Sequence, residues 1–225
     1  MKRVAVIPAY NEERTIGTVL SELRPFVDAM IVIDDGSRDA TAAIAEREGA
    51  IVYRHFLNRG LGAALGTGME VALRQGADVL ITFDADGQHR ANDIPAIVAP
   101  LLRGTADVVI GVRTKNKHAM PVGRRIANTM ANVITFFLFG IWTSDSQSGF
   151  RAFTSQAARA LDLARYHFEN MEVSSAILSQ VARHKLRFFE VAIEPVYTSY
   201  SLSKGQGFRE GIRTFVRLII YRVLH

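Results

Sequence analysis

The sequence contains no cysteine, which excludes a disulfide scaffold, cysteine-ligated zinc and a thiol nucleophile. Its six histidines never stand in an H-x-x-x-H or H-E-x-x-H spacing, so a zinc site is not expected. Neither a G-x-S-x-G elbow nor a P-loop occurs. Charged residues make up only 22% of the chain against 48% hydrophobic, which excludes a disordered tail and allows a full core. No run is cleanly apolar over the ~20 residues that span a bilayer. The longest uncharged stretch, residues 126–144, is interrupted by Asn128, Thr129, Asn132, Thr135 and Gly140, and reads as a buried or interfacial helix, with a spanning helix as the alternative. No secretory signal is expected, because the first apolar run is short and ends at Pro8; the start reads as cytosolic.

What is present is one large domain's worth of chain, 225 residues with a formal net charge of +5. The positive excess suits anionic partners such as nucleotides, phospholipids or nucleic acid without choosing among them. Short apolar runs at residues 4–7, 30–33, 51–53, 79–83 and 108–110 predict strands. Helical periodicity lies between them: Ile16, Val19, Leu20 and Leu23; residues 41–48 before Gly49; residues 61–75 before Gly76; Ile94, Ile97, Val98 and Leu101. This βαβα alternation predicts an α/β domain with a mostly parallel sheet, helices on both faces, over residues 1–200. Residues 201–225 form a tail. There Phe208, Ile212, Phe215, Val216, Ile219, Ile220 and Val223 trace one helical face, and Arg209, Arg213 and Arg217 another. A basic amphipathic helix of this kind reads either as membrane-surface binding or as a helix packed on the domain.

Ligands of open α/β sheets bind outside the carboxyl ends of the strands. Three such ends carry unusual chemistry: Pro8-Ala9-Tyr10-Asn11-Glu12, Asp34-Asp35-Gly36-Ser37 and Asp84-Ala85-Asp86-Gly87-Gln88-His89. Gathered carboxylates repel and need a cation or donors to hold them. Asp84 and Asp86, spaced by two, face one side and suit Mg²⁺ or Mn²⁺, with Gln88 as a further oxygen donor; a solvated Asp-Gly turn is the plainer alternative. Asp35 suits a base or ribose donor, and Tyr10 either stacks on a base or edges the core.

Gly60-Leu61-Gly62-Ala63-Ala64-Leu65-Gly66 fails as a dinucleotide fingerprint and reads as close helix packing. Arg113, Arg124 and Arg125 suit phosphates or a solvated basic face. Asp145, in Asp145-Ser146-Gln147-Ser148-Gly149-Phe150-Arg151, reads as a general base, a partner for Arg151, or a cap. Glu169 and Glu172 read as first-turn acids of a helix.

Together these blocks resemble the family 2 inverting glycosyltransferases of the GT-A fold. The similarity is to the polyprenyl- and dolichol-phosphate mannose synthases and related lipid-phosphate glycosyltransferases. It rests on Val6-Ile7-Pro8-Ala9-Tyr10-Asn11-Glu12-Glu13, Val32-Ile33-Asp34-Asp35-Gly36-Ser37, Asn58-Arg59-Gly60-Leu61-Gly62, Asp84 to His89 and Asp145 to Arg151, in order. The resemblance implies a metal-dependent enzyme moving a sugar from a nucleoside-diphosphate sugar to a polyprenyl phosphate, peripheral on the inner membrane face. Pro8, Ala9, Tyr10, Glu12 and Asp35 would hold the nucleotide, and Asp84 and Ala85 the ribose and diphosphate. Asp86 and Gln88 would bind Mg²⁺ or Mn²⁺, with Asp86, Arg113, Arg125 and Lys204 catalytic: Arg113 on the donor phosphates, Arg125 on the acceptor phosphate, Lys204 reaching the phosphates. The chain departs from the commonest pattern in lacking an arginine shortly before Ser203-Lys204; Tyr197, Tyr200 and Ser201 stand there.

A hydroxyl acceptor in cell-envelope polysaccharide synthesis and a non-catalytic nucleotide-sugar-binding protein remain alternatives. A sugar-nucleotide pyrophosphorylase would need a basic Gly-rich loop where residues 8–13 are net acidic. No nucleic-acid partner is expected, because basic residues are not interleaved with aromatics. Self-association is left open.

Overall fold

The structure is a computed structural model that describes residues 1–113, 129–130, 132–133, 135–137, 140–161, 172–194 and 196. The strands are β1 (Arg3–Ala9), β2 (Ala29–Asp34), β3 (Ile51–Arg54), β4 (Val79–Thr82), β5 (Val108–Val112), β6 (Arg151–Thr154) and β7 (Phe188–Ala192). The helices are α1 (Ile16–Leu23), α2 (Thr41–Arg47), α3 (Leu61–Arg74), α4 (Ile94–Leu102), α5 (Ser155–Leu161) and α6 (Glu172–Arg183). The sheet order is β3-β2-β1-β4-β6-β5-β7. Neighbours pair in parallel except β6, which runs antiparallel to both β4 and β5.

β1, β2 and β4 are apolar along their middles, with polar residues only at their ends, because both faces are covered. Along β1, Ala5, Ile7 and Ala9 join one core with α1, α4 and Ala45 of α2. Val4 and Val6 point the other way and join a second core with α3, α5 and α6. The glycine-rich stretch is the packing device expected of it. A β-carbon at Gly68 would overlap Val6 Cγ1, so α3 lies on β1 only because that carbon is missing.

The expected strands are all present, with small shifts at their ends. β6 and β7 are not among the expected strands. β6 is short and opens on a charged residue, Arg151, at a buried position, and β7 is a half-exposed edge strand carrying Glu190. The antiparallel insertion of β6 matters for the site. Its first residue, Arg151, is in register with Thr82 of β4 and Ile110 of β5, near the carboxyl ends of those strands. The tail at 201–225 and the domain boundary near residue 200 lie outside the described residues.

Candidate active site

The ends of β1, β2 and β4 are side by side. Ala9 pairs with Asp34, and Val6 with Thr82. The turn after β1 is tied to the turn after β2 by its own polar side chains. Asn11, in the left-handed region (φ 54°), donates its N–H to Ser37 Oγ at 2.9 Å and accepts the Arg38 N–H on Oδ1 at 2.9 Å. Glu12 is buried; its N–H donates to Thr41 Oγ1 at 2.8 Å and its Oε2 accepts from Thr15 Oγ1 at 3.0 Å. Tyr10, by contrast, is exposed. The Ala9 and Ala85 side chains belong to the core, so any ligand contact they make runs through their backbone. Pro8 is half-buried within β1.

The two aspartates after β2 divide their work. Asp34 is buried, accepts the Ser37 N–H at 2.9 Å and pairs with Arg54 at 3.0 Å. Asp35 accepts from the Arg59 N–H at 3.0 Å and the Gly60 N–H at 2.8 Å, and contacts His55 Nδ1 at 2.7 Å. His55 Nε2 in turn meets Thr67 Oγ1 at 3.0 Å. Asp35 therefore anchors the loop that opens α3, with three of its roughly four lone-pair sites filled from within the protein.

At the end of β4, His89 Nε2 lies 2.9 Å from Asp84 Oδ2. The His89 ring lies edge-on to Phe83 and tilted against Phe150, at centroid distances of 5.5 and 5.3 Å. Desolvation pushes the Asp84 pKa up, but the His89 hydrogen bond and the charges of His89, Arg151 and Arg113 outweigh it and the carboxyl lies below its ordinary range. Asp86 goes the other way. Burial and the neighbouring Asp84 charge raise it, against the Gln88 N–H (3.0 Å) and side-chain amide that both donate to it. Beneath Asp84 lies Gly149, where a β-carbon would overlap the carboxylate, and whose carbonyl accepts from Thr82 Oγ1 at 2.7 Å.

Arg113 follows β5 directly. Its guanidinium grips Asp145 at two points, and its N–H reaches the same carboxylate at 3.2 Å. Of the three roles open to Asp145, the described partner is thus Arg113 rather than a hydrogen bond to Arg151. Arg151 itself is fully buried. Its Nη2–H reaches only the Ser146 carbonyl, at 3.2 Å, and burial lowers its pKa to about 10 even though the Asp84 and Asp145 charges oppose the shift. Sequence reasoning placed Arg151 only as a partner for Asp145. Its position between the ends of β4 and β5 becomes visible only through the β6 register. Arg125, Lys204, Arg124 and Glu169 lie outside the described residues.

The donor set is chemically fit for a hard divalent cation: carboxylates at Asp84 and Asp86 with the amide oxygen of Gln88, all near one strand end. Burial first, and the Asp84 charge second, raise the Asp86 pKa, and a cation bound beside it would favour the ionised form. Among the described residues no group of three or more His, Asp or Glu side chains is arranged to hold a metal. Such a set suits an ion that keeps ligands from a bound phosphate, as Mg²⁺ commonly does.

Comparison with known proteins agrees with this architecture. The model of the family described as Glycosyl transferase family 2 matches residues 4–161. A UDP-N-acetylglucosamine–dolichyl-phosphate N-acetylglucosaminyltransferase of Methanococcus voltae is 35% identical over 239 residues, covering 97% of this chain and 95% of its own. An undecaprenyl-phosphate mannosyltransferase of Micrococcus luteus is 30% identical over 217 residues, covering 92% and 88%. The solved glucosyl-3-phosphoglycerate synthase of Mycobacterium tuberculosis with Mn²⁺, UDP and phosphoglyceric acid superposes with a TM-score of 0.76 at 21% identity, covering 98% of this chain and 78% of that one. At that identity the likeness is one of fold. With the family model spanning most of the chain and relatives matching nearly all of it, the chain belongs to glycosyl transferase family 2 and is a glycosyltransferase of the GT-A fold.

Proposed function

We propose that the chain transfers a sugar, with inversion, from a nucleoside-diphosphate sugar to a polyprenyl phosphate at a membrane surface, with Mg²⁺ or Mn²⁺ held by Asp86 and Gln88. The observation that carries the acceptor is an inside-out segment beside the Arg113–Asp145 pair. Residues 129–130, 132–133 and 135–137 are helical. Two of their polar side chains turn inward: Asn132 is buried, donating to the Ser144 carbonyl at 2.9 Å and accepting the Ser146 N–H at 2.8 Å, and Thr135 is buried against Ser175 at 3.3 Å, while Thr129 is exposed. Apolar side chains face out instead. Met130, Phe136, Phe137 and Trp142 are exposed, Phe137 by 79%, and the three rings pack at centroid distances of 5.8 and 5.7 Å. Water disfavours such a face, whereas hydrocarbon and its headgroup boundary favour it. No described helix is long and apolar enough to cross a membrane, so this face supports contact along a surface. Relatives named for dolichyl and undecaprenyl phosphate support the same acceptor class.

The chemistry is an in-line displacement. An acceptor phosphate oxygen attacks the anomeric carbon, and the bond to the donor diphosphate breaks with its electron pair leaving on the nucleoside diphosphate. A bound divalent cation supplies charge neutralisation on that diphosphate. Arg113, fixed in orientation by Asp145, brings its positive charge to bear on the same developing charge. In this reading Arg125 orients the acceptor phosphate, Lys204 grips the donor phosphates, and Pro8, Ala9, Tyr10, Glu12, Asp35, Asp84 and Ala85 line the donor. A phosphate monoester has a second pKa near ~6 and attacks as an anion, so no protein base is required. The enclosure of Asp145 by Arg113 agrees with that.

The test is transfer from a panel of labelled nucleoside-diphosphate sugars, with Mn²⁺, to polyprenyl phosphate in vesicles or to soluble oligosaccharide. Labelled lipid is expected. The double variant Phe137→Ser, Trp142→Ser should raise the KM for polyprenyl phosphate by roughly tenfold, the cost of about 1.4 kcal/mol of lost burial, and leave the donor KM unchanged. Label in oligosaccharide alone would overturn the lipid acceptor.

A further inference from the structure

Arg151 is a charge in a place that ordinarily holds an aliphatic side chain. It is the first residue of β6, opposite Thr82 of β4 and Ile110 of β5, both buried. It is 2% exposed, and among the described residues its Nε–H has no hydrogen-bond partner and its Nη2–H has only the Ser146 carbonyl. A guanidinium so poorly satisfied costs folding energy, and a well-packed methionine or leucine of similar volume would be no worse for the core. The cost has to be offset by what the charge faces. On one side the register sets it opposite Thr82, two residues before Asp84; on the other its Nη2–H meets the carbonyl of Ser146, the residue after the Asp145 that grips Arg113, and both carboxylate charges act on it. The Arg113 guanidinium bears on Arg151 as well, and repels it.

We propose that Arg151 is the resident counter-cation of the active site, a residue whose charge offsets Asp84 and Asp145 together and so sets how tightly the end of β4 takes up a divalent cation. The inference rests on the metal reading of Asp84, Asp86 and Gln88 given above.

The charge count shows what this does. Asp84, Asp86 and Asp145 bring three carboxylates, and Arg113 and Arg151 bring two guanidiniums. These five side chains are left with one formal negative charge. A divalent cation then turns it positive, ready for a diphosphate. Without Arg151 the formal charge would be two negative. The cation would bind more tightly, while the cluster without it would repel itself. A buried cation in this position therefore keeps the divalent ion exchangeable and the donor side electropositive. Gly149 and Phe150 complete the arrangement from the same segment: the glycine leaves room for the Asp84 carboxylate, and the phenylalanine packs on the His89 ring. Residues 149–151 thus form one support beneath the strand end.

The experiment is Mn²⁺ binding to the full chain without donor, read as free Mn²⁺ by electron paramagnetic resonance and as the Mn²⁺-induced shift in Tm. Three variants are compared with wild type. Arg151→Met should bind Mn²⁺ roughly tenfold more tightly and gain more Tm from it than wild type does. Arg151→Lys, which keeps the charge and loses the guanidinium shape, should stay within about twofold of wild type. Asp145→Asn, which is no metal ligand in this scheme, should weaken Mn²⁺ by several-fold, because it leaves Arg151 less neutralised; this arm stands even if Arg151→Met does not fold. A merely structural arginine would give unchanged or weaker Mn²⁺ binding in Arg151→Met and no change in Asp145→Asn, and that result overturns the inference while leaving the proposed function intact. Wild-type protein that takes up no Mn²⁺ overturns this inference together with the metal reading.

Discussion

Arg113 and Asp145 are joined by two parallel hydrogen bonds, Nε to Oδ2 at 2.6 Å and Nη2 to Oδ1 at 2.8 Å. The carboxylate side is 2% exposed and the guanidinium 19%. A carboxylate engaged in this way, and further enclosed by the charge of Arg151, is poorly placed to accept a substrate proton. Its effect is on Arg113, whose guanidinium is oriented by the fork. Asp145→Asn should lower kcat/KM by about a hundredfold through misplacement of Arg113, and Arg113→Lys by a similar factor. The pH profile between about pH 6 and 9 should keep its shape in Asp145→Asn. Loss of an acidic limb from that profile would return Asp145 to the role of base.

Gly149 gives a separate handle on the metal-binding end. An added methyl overlaps both oxygens of Asp84, whose other restraint is the bond to His89. Gly149→Ala should displace the carboxylate, lower turnover by at least about a hundredfold and weaken Mn²⁺ binding. Far-UV circular dichroism should be unchanged, because the strands on either side keep their register. Normal turnover in this variant would mean that Asp84 does not need its present position.

The parts of the fold that were legible from sequence are those whose environment is uniform. β1, β2 and β4 are buried on both faces and therefore read as unbroken apolar runs. β6 escaped notice because its first position is an arginine, and β7 because Glu190 breaks its pattern, its carboxylate accepting the Ser144 N–H at 2.8 Å. The site divides in the same way. The carboxylates of Asp84 and Asp86 were legible because they terminate a strand, and strand ends are where such sheets bind ligands. The partners that set their charge were not. Asp145 meets Arg113 across 32 positions of chain, and Arg151 reaches the cluster only through an antiparallel strand that nothing local announces. Asp35 shows the converse. Its motif was plain, yet its described partners are the loop at 59–60 and His55, which periodicity could not place beside it.

Packing makes its own prediction at Gly68. Alanine there returns about 1 kcal/mol of helix propensity relative to glycine. The new methyl, however, overlaps Val6 Cγ1 and crowds Ile33 Cγ1 at 3.1 Å, both on fully buried strand residues. Overpacking of this kind costs about 1–3 kcal/mol, so the crowding should win. Gly68→Ala is expected to lower Tm by roughly 2–4 °C in thermal melts, and Val6→Ala in the same chain should recover part of it by clearing the space. A melt unchanged in the single variant would mean that α3 can lift off β1 freely.

At the opposite end of the sheet, Asp107 fastens the start of β5 to the start of β7. Its Oδ2 accepts the Arg187 N–H at 2.8 Å and Nε–H at 3.0 Å, and its Oδ1 accepts Nη2–H at 2.7 Å. Hydrogen bonds from the Arg187 side chain and backbone, with its charge, hold the Asp107 pKa below its ordinary value against partial burial. A carboxyl depressed on folding stabilises the native state at every pH above its unfolded pKa, and loses that contribution as the pH falls through the folded value. Asp107→Asn should therefore melt lower than wild type at neutral pH, by roughly 2–4 °C. The gap should close as the pH drops below the model-peptide value of 3.8. Because the pair is partly exposed, added salt should narrow the same gap at neutral pH. The measurement is a series of melts on both proteins from neutral to acidic pH, at low and high salt. A gap that stayed constant with pH would mean that the Arg187 fork is held by shape alone and that the charge on Asp107 contributes nothing to joining β5 and β7.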